Sequence, residues 1–250
     1  MCGRFSITDP DEALRALFGY NGPPLDMAPR YNVAPTQSVP VVRLGENGAR
    51  AIAQLRWGLV PAWAKEIGIG ARMINARAET VAEKPAFRAA MKARRCLVPA
   101  DGFYEWQGVA GKKQPYRITI AGGRPFAFAG LWERWRDPAG PKDAAPVETF
   151  AIVTTAAAPA IARIHERMPV MLTQREDLEA WLDAAANPPD KVQKLLAPYA
   201  GQDLAAEAVS TKVNNARYDG PDCIASAEAA SSDVEKGSPP RRQGTKAPRI

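Results

Sequence analysis

The sequence predicts an α+β domain with a curved, mainly antiparallel sheet or barrel-like core and flanking helices. Three observations lead there. Short apolar stretches of strand length recur between glycine-, proline- and asparagine-bearing turns. Far fewer stretches carry helical spacing, and these sit at separate places rather than alternating regularly with the strands. No internal repeat and no convincing linker divides the first 224 of the 250 residues, which we take as one domain.

The elements follow in order. Asp9-Pro10-Asp11-Glu12 combines an N-cap, a proline at the first helical position and first-turn acids. Ala13, Leu14, Leu17 and Phe18 then form an apolar face, and Gly19 is placed to end the helix. Residues 37–44 and 51–57 read as strands joined through Glu46-Asn47-Gly48, a hairpin signal. Residues 84–95 suit a short helix. Residues 96–135 are strand-like, with breaks at Ala110-Gly111 and Gly122-Gly123, and 148–155 is a further strand. Val170 to Leu172 reads as another. Thr173-Gln174-Arg175-Glu176 has the spacing of a capping box before a helix carrying Leu178, Trp181 and Leu182. Pro188-Pro189 separates it from a short helix around 191–196. From about residue 225 the chain is rich in Ser, Pro, Gly and charge, which predicts a disordered basic tail over 225–250 whose removal leaves fold and function intact.

Bulk properties narrow the function. The chain has a net charge of +6, of which the segment after Cys223 contributes five basic residues against three acidic ones. The body is thus only mildly basic, which permits a nucleic-acid partner without requiring one. No signal peptide and no apolar run of membrane length is found, so a cytoplasmic protein without a membrane partner is expected. Cysteines at 2, 96 and 223 are odd in number and lack paired spacing, which argues against a disulfide framework and against a zinc site.

Candidate chemistry begins at Cys2. If Met1 is removed, Cys2 presents an α-amine of intrinsic pKa about 8 beside a thiol of about 8.5. Both can react in turn with one aldehyde: the amine gives an imine, and the thiol closes a five-membered thiazolidine. The bland alternative is an incidental residue in a frayed terminus. His165, the single histidine, is the side chain best matched to proton transfer at neutral pH, although lone histidines are more often structural. Glu105 is flanked by Tyr104 and Trp106, which could desolvate its carboxyl; an exposed strand carboxylate is the alternative. Asn75 could orient an amine, or equally cap a helix or sit in a turn. Arg4, Arg77 and Arg167 adjoin these candidates and suit phosphate. Trp57 reads as core and Trp63, followed by Ala64-Lys65-Glu66, as exposed aromatic surface.

Taken in order, Met1 to Phe5, Arg30-Tyr31-Asn32-Val33-Ala34-Pro35, Trp57 to Trp63, Asn75 to Thr80, Pro99 to Trp106, Gly130-Leu131-Trp132-Glu133 and Ile164 to Leu172 resemble the SOS-response-associated peptidase family, with a weaker echo at Val209 to Asn215. The resemblance implies covalent capture of abasic sites in single-stranded DNA by a monomer without cofactor or metal. It assigns Cys2 as nucleophile after loss of Met1, possible by self-cleavage. It gives Asn75 the Cys2 amine, Glu105 proton transfer in imine formation, and His165 the opening of the sugar. Arg4, Arg77 and Arg167 would hold phosphates, Trp63 and Pro35 would pack on bases, and Thr154 would bind near the DNA backbone. Two rivals stand beside it: an N-terminal-nucleophile glutamine amidotransferase, which also begins Met-Cys-Gly, and a noncovalent single-strand binder.

Overall fold

The computed structural model describes residues 2–19, 27–45, 48–109 and 112–228. In chain order its regular elements open with β1 (Phe5–Ile7), α1 (Pro10–Phe18), β2 (Arg30–Val33), β3 (Ser38–Leu44) and β4 (Arg50–Trp57). Then come β5 (Asn75–Arg77), α2 (Arg88–Ala93), β6 (Arg95–Ala100), β7 (Gly102–Val109) and β8 (Lys112–Ile120). The last are β9 (Phe126–Trp135), β10 (Val147–Ala156), β11 (Arg167–Pro169), β12 (Met171–Leu172), α3 (Arg175–Leu182) and β13 (Leu204–Ala208).

Five of these strands close a ring. β10, β4, β3, β6 and β9 pair in that order, and β9 pairs back onto β10. Pairing within the ring is antiparallel except for β4 with β10, and β5 also lies parallel to β10. Ring strands β6, β9 and β10 are buried on both faces for most of their length, which is why they read as continuous apolar runs, whereas β4 is exposed or half-buried over most of its length. Along β9, Phe126, Phe128 and Trp132 point to one core while Ala127, Ala129 and Leu131 point to another. The first core lies between the ring and a second sheet of five strands, ordered β13-β8-β7-β1-β2. The second lies under the helices: Leu14 and Phe18 of α1, Met91 of α2, and Leu178, Trp181 and Leu182 of α3. The predicted barrel-like α+β domain is therefore present, with a second sheet that the pattern alone did not separate from the first.

Local signals mostly held. Asp9 caps α1 by accepting from the Glu12 N–H at 3.0 Å, and Gly19 ends it at φ 61°. The predicted hairpin is β3–β4, in register from Ser38 opposite Arg56 to Leu44 opposite Arg50; positions 46 and 47 lie outside the described residues, as do 110 and 111. Gly122 and Gly123 do form a break, at φ 78° and 68°. The short helix expected around 191–196 is present as a 3-10 helix over Gln193–Leu196.

Some did not. The helix expected over 84–95 is confined to 88–93, because Arg95 already begins a strand paired with β9. The capping box does not form: Gln174 takes the N-cap position with no side-chain bond to the helix. Val170 to Leu172 is no single strand; β11 pairs with β10, and β12 pairs with β9. The predicted tail lies outside the described residues from 229 on. Its start is later than 224, since Ser210 N–H donates to Ala225 O at 2.9 Å and Val209 pairs with Ser226. No helix among the described residues is long and apolar enough to cross a membrane.

Candidate active site

β1 fixes the position of the terminus. It is held between β2 and β7, and its Phe5 ring enters the core edge-on against Trp57 at 5.2 Å and Phe128 at 5.6 Å. Ser6 donates to buried Asp101, Thr8 donates to the same carboxylate through N–H and hydroxyl, and Arg117 pairs with it at 2.8 Å. This anchor at the start of β7 holds the whole amino-terminal run in register. Cys2 is consequently part of the core, 0% exposed, rather than a frayed end. Burial pushes its thiol well above the ordinary range, and the nearby Glu105 carboxyl adds to that effect.

Asn75, at the start of β5, reaches Cys2 from the ring. Its Nδ2 donates to the Cys2 carbonyl at 2.8 Å, and its Oδ1 is buried with no partner among the described residues. β5 lies parallel to β10 with Asn75 opposite Ile152, so the asparagine is set by a ladder and not by a loop. A buried unsatisfied acceptor costs about 1–3 kcal/mol, and an N–H donor entering here would recover it.

Glu105 comes from β7 and is 3% exposed. Burial raises its carboxyl pKa, with positive charge, His165 included, pulling the other way. Glu105 and His165 line one cleft of about 480 Å³ together with Arg4, Trp106, Lys113 and Asn214. His165 follows a turn in which Ile161 O accepts from the histidine N–H. Its Nδ1 lies 2.9 Å from the Arg167 backbone N–H and 3.2 Å from the Arg167 carbonyl oxygen, which fixes the orientation of the ring. The four residues singled out for chemistry thus converge, from β1's leader, β5, β7 and the loop before β11.

The residues singled out for DNA differ among themselves. Arg4 is half-buried and lines the cleft, its Nη1 donating to Asn32 Oδ1 at 2.9 Å and Val213 O at 2.7 Å. Arg77 and Trp63 are exposed, Trp63 by 61%, and both line a second, more apolar cleft of about 380 Å³ that also reaches Asn75. Pro35 is half-buried in a surface turn. Arg167 holds a forked pair with Glu79, at 2.9 and 3.0 Å, and donates to Thr154 O at 2.7 Å. A phosphate would have to compete with Glu79 for it. Thr154 is 0% exposed, so direct contact with a DNA backbone is closed to it; its oxygens orient Arg167 instead.

Sequence reasoning passed over Asn32, Lys113 and Asn214, and took Trp106 only as a flank of Glu105. Asn32 is fully buried, and its Nδ2 donates to the carbonyls of Val213, Asn215 and Tyr218. Trp106 Nε1 donates to Asn214 Oδ1 at 2.7 Å. Asn32 lay within a quoted motif and Asn214 within its weak echo, but only the fold shows that Asn32 meets the 213–218 segment across more than 180 residues. Among the described residues no group of His, Cys, Asp and Glu could hold a metal ion.

A model of the SOS response associated peptidase (SRAP) family matches residues 1–216. The abasic site processing protein YoqW of Bacillus subtilis (strain 168) is 41% identical over 229 residues, covering 90% of this chain and all of that protein. The abasic site processing protein HMCES of Gallus gallus is 34% identical, over 78% of this chain and 66% of that one. Among solved structures, a Bacteroides thetaiotaomicron protein superposes with a TM-score of 0.76 at 26% identity, covering 90% of this chain and all of its own.

Proposed function

Because this chain belongs to the SOS response associated peptidase family, and its full-length relatives are abasic site processing proteins, we propose that it processes abasic sites in single-stranded DNA by covalent capture on Cys2. One observation carries the reading: the second residue of the chain is locked into the core, pinned by Asn75, with a protonation-prone carboxyl and a histidine at the same place.

The chemistry follows from what each residue can do. Hydrolysis of the Met1–Cys2 peptide bond, by the protein itself or otherwise, releases methionine and frees the Cys2 α-amine. That amine finds an acceptor in Asn75 Oδ1, which holds its lone pair towards the cleft. His165 Nε2 exchanges a proton with the sugar oxygens as the ring-closed abasic sugar opens to its C1′ aldehyde. The amine then adds to C1′. Glu105, whose carboxyl burial pushes towards the protonated form, gives a proton to the departing hydroxyl, so that water leaves and an imine remains. The thiol adds across the imine: sulfur bonds to C1′ and the thiol proton ends on nitrogen. The net change is aminothiol plus aldehyde giving thiazolidine plus water. A thiol kept protonated by burial suits this order, since the amine must react first. Ring closure is intramolecular, with effective molarities that reach roughly 10⁵ M. Arg4 and Arg77 hold the flanking phosphates, and Trp63 with Pro35 meets the neighbouring bases. The same reading places the protein in the cytoplasm, as a monomer acting on the nucleoid.

Intact mass spectrometry of the protein with and without an abasic oligonucleotide tests this. The expected masses are the chain less methionine, and that species plus the oligonucleotide less one water. Cys2→Ala should give no denaturation-resistant complex. A wild-type yield of denaturation-resistant complex from the alanine variant would overturn capture through the Cys2 thiol.

A further inference from the structure

One turn beside the site is built against the preference of its own residues. Ala34-Pro35-Thr36-Gln37 closes with Gln37 N–H donating to Ala34 O at 3.3 Å, and Thr36 sits at φ 73°. Proline in the second position and a positive φ in the third define a type II turn, whose third position calls for glycine or asparagine. Thr36 is the sole non-glycine with positive φ among the described residues, and it is β-branched, the type least suited to that region. The neighbours hold it there: Thr36 N–H donates to Trp57 O and Trp57 N–H donates to Gln37 O, both at 2.9 Å. Strain of this kind persists where surrounding structure over-determines it, and it gathers at functional sites.

Nothing inside the protein uses the side chain that causes the strain. Thr36 is exposed, and its hydroxyl has no hydrogen-bond partner among the described residues. Its location is informative. β1 and β2 run antiparallel with Phe5 opposite Val33, so following β1 back from Phe5 to Cys2 follows β2 forward from Val33 to the Thr36 turn. The strained residue therefore stands at the same end of the ladder as the nucleophile.

We propose that Thr36 is a DNA-contacting residue, whose hydroxyl donates to a phosphodiester oxygen of the strand next to the abasic nucleotide. The turn is held rigid so that this donor is in place before the strand arrives, and hydroxyl side chains are common phosphate partners. The inference rests on the reading of Cys2 as the capturing residue.

The test compares Thr36→Gly and Thr36→Ser with wild type for thermal midpoint and for capture rate against concentration of an abasic oligonucleotide. Glycine relieves the backbone, so its midpoint should rise by about 2 °C or more. It carries no side-chain donor, so its half-saturating DNA concentration should rise roughly tenfold, the loss of one charge-assisted hydrogen bond, with the maximal rate kept. Serine, which retains the donor, should capture like wild type. A lower midpoint for Thr36→Gly would show that threonine serves the fold, and a higher midpoint with unaltered capture would show that the strain has no bearing on DNA; either overturns the inference. If wild type forms no adduct, the reading of Cys2 falls, and binding of Thr36→Gly to an unmodified single-stranded oligonucleotide then decides the Thr36 contact by itself: weaker binding than wild type supports it, equal binding overturns it.

Discussion

Glu105 shows how one side chain couples stability to chemistry. Burial holds its carboxyl above the ordinary value of about 4.3, so the folded protein keeps a proton at pH values where the unfolded chain has released it. The folded state then binds more protons, and stability falls as pH rises from the ordinary carboxylate value through the raised one. Glu105→Gln removes the charge and keeps the shape. Relative to wild type it should therefore match in acid and melt higher at neutral pH, as followed by thermal unfolding across pH. Capture should slow by roughly 10²–10⁴-fold, since glutamine has no proton to give. A variant that is destabilised at neutral pH would show the carboxylate to be charged and structural. That the Glu105 carboxyl is desolvated was legible from its aromatic neighbours on a strand. That Thr154 cannot reach solvent was not, because its stretch of β10 is flanked by β11 on one side and by β5, remote in sequence, on the other.

At the scale of elements, the segment from 209 to 226 brings Asn214 to the cleft wall, and Asn32 of β2 clasps it. One amide spans Arg4 and three carbonyls, while Asp219 accepts from the backbone N–H groups of Tyr31 and Asn32, both at 2.6 Å. Asn32→Ala leaves those groups without partners and should cost about 2–3 kcal/mol, a fall of roughly 5–10 °C in Tm. Its second effect is specific. Arg4 loses its orientation, so the salt dependence of capture should flatten by about 0.7 in log–log slope, as for Arg4→Gln. The double variant should flatten it no further, because the two act as a unit. Two independent decrements would separate Asn32 from Arg4. Helix α1 was readable from sequence since its cap, proline and glycine are all local. The clasp was unreadable for the opposite reason: its irregular 3-10 turns carry no period, and their order comes from side chains far away in the chain.

For the whole molecule the question is where the functional chain ends. The family match stops at residue 216, and composition suggests a boundary at 224. The contacts run further. Cys223 is fully buried with Tyr104, Val209 and Val213, Asp219 pairs with Arg30, and Ala225 and Ser226 still bond to the strand-like entry at 209–210. Beyond 228 lie five basic residues and two acidic ones, half of the net charge of +6. Truncation after 228 should therefore leave Tm unchanged and leave capture unchanged at physiological salt, where charges beyond about 8 Å are screened. Truncation after 224 removes two main-chain contacts and should lower Tm by a few degrees, from about 1–2 kcal/mol. Truncation after 216 strips Asp219 and Cys223 from the clasp, exposes Tyr104 and frees Arg4, and should abolish capture before it abolishes the barrel, whose ring strands are complete by residue 156. Circular dichroism with adduct yield on the three truncations checks the order: equal adduct yield from all three would show that the cleft wall is dispensable and that the site is built by the ring and β1 alone.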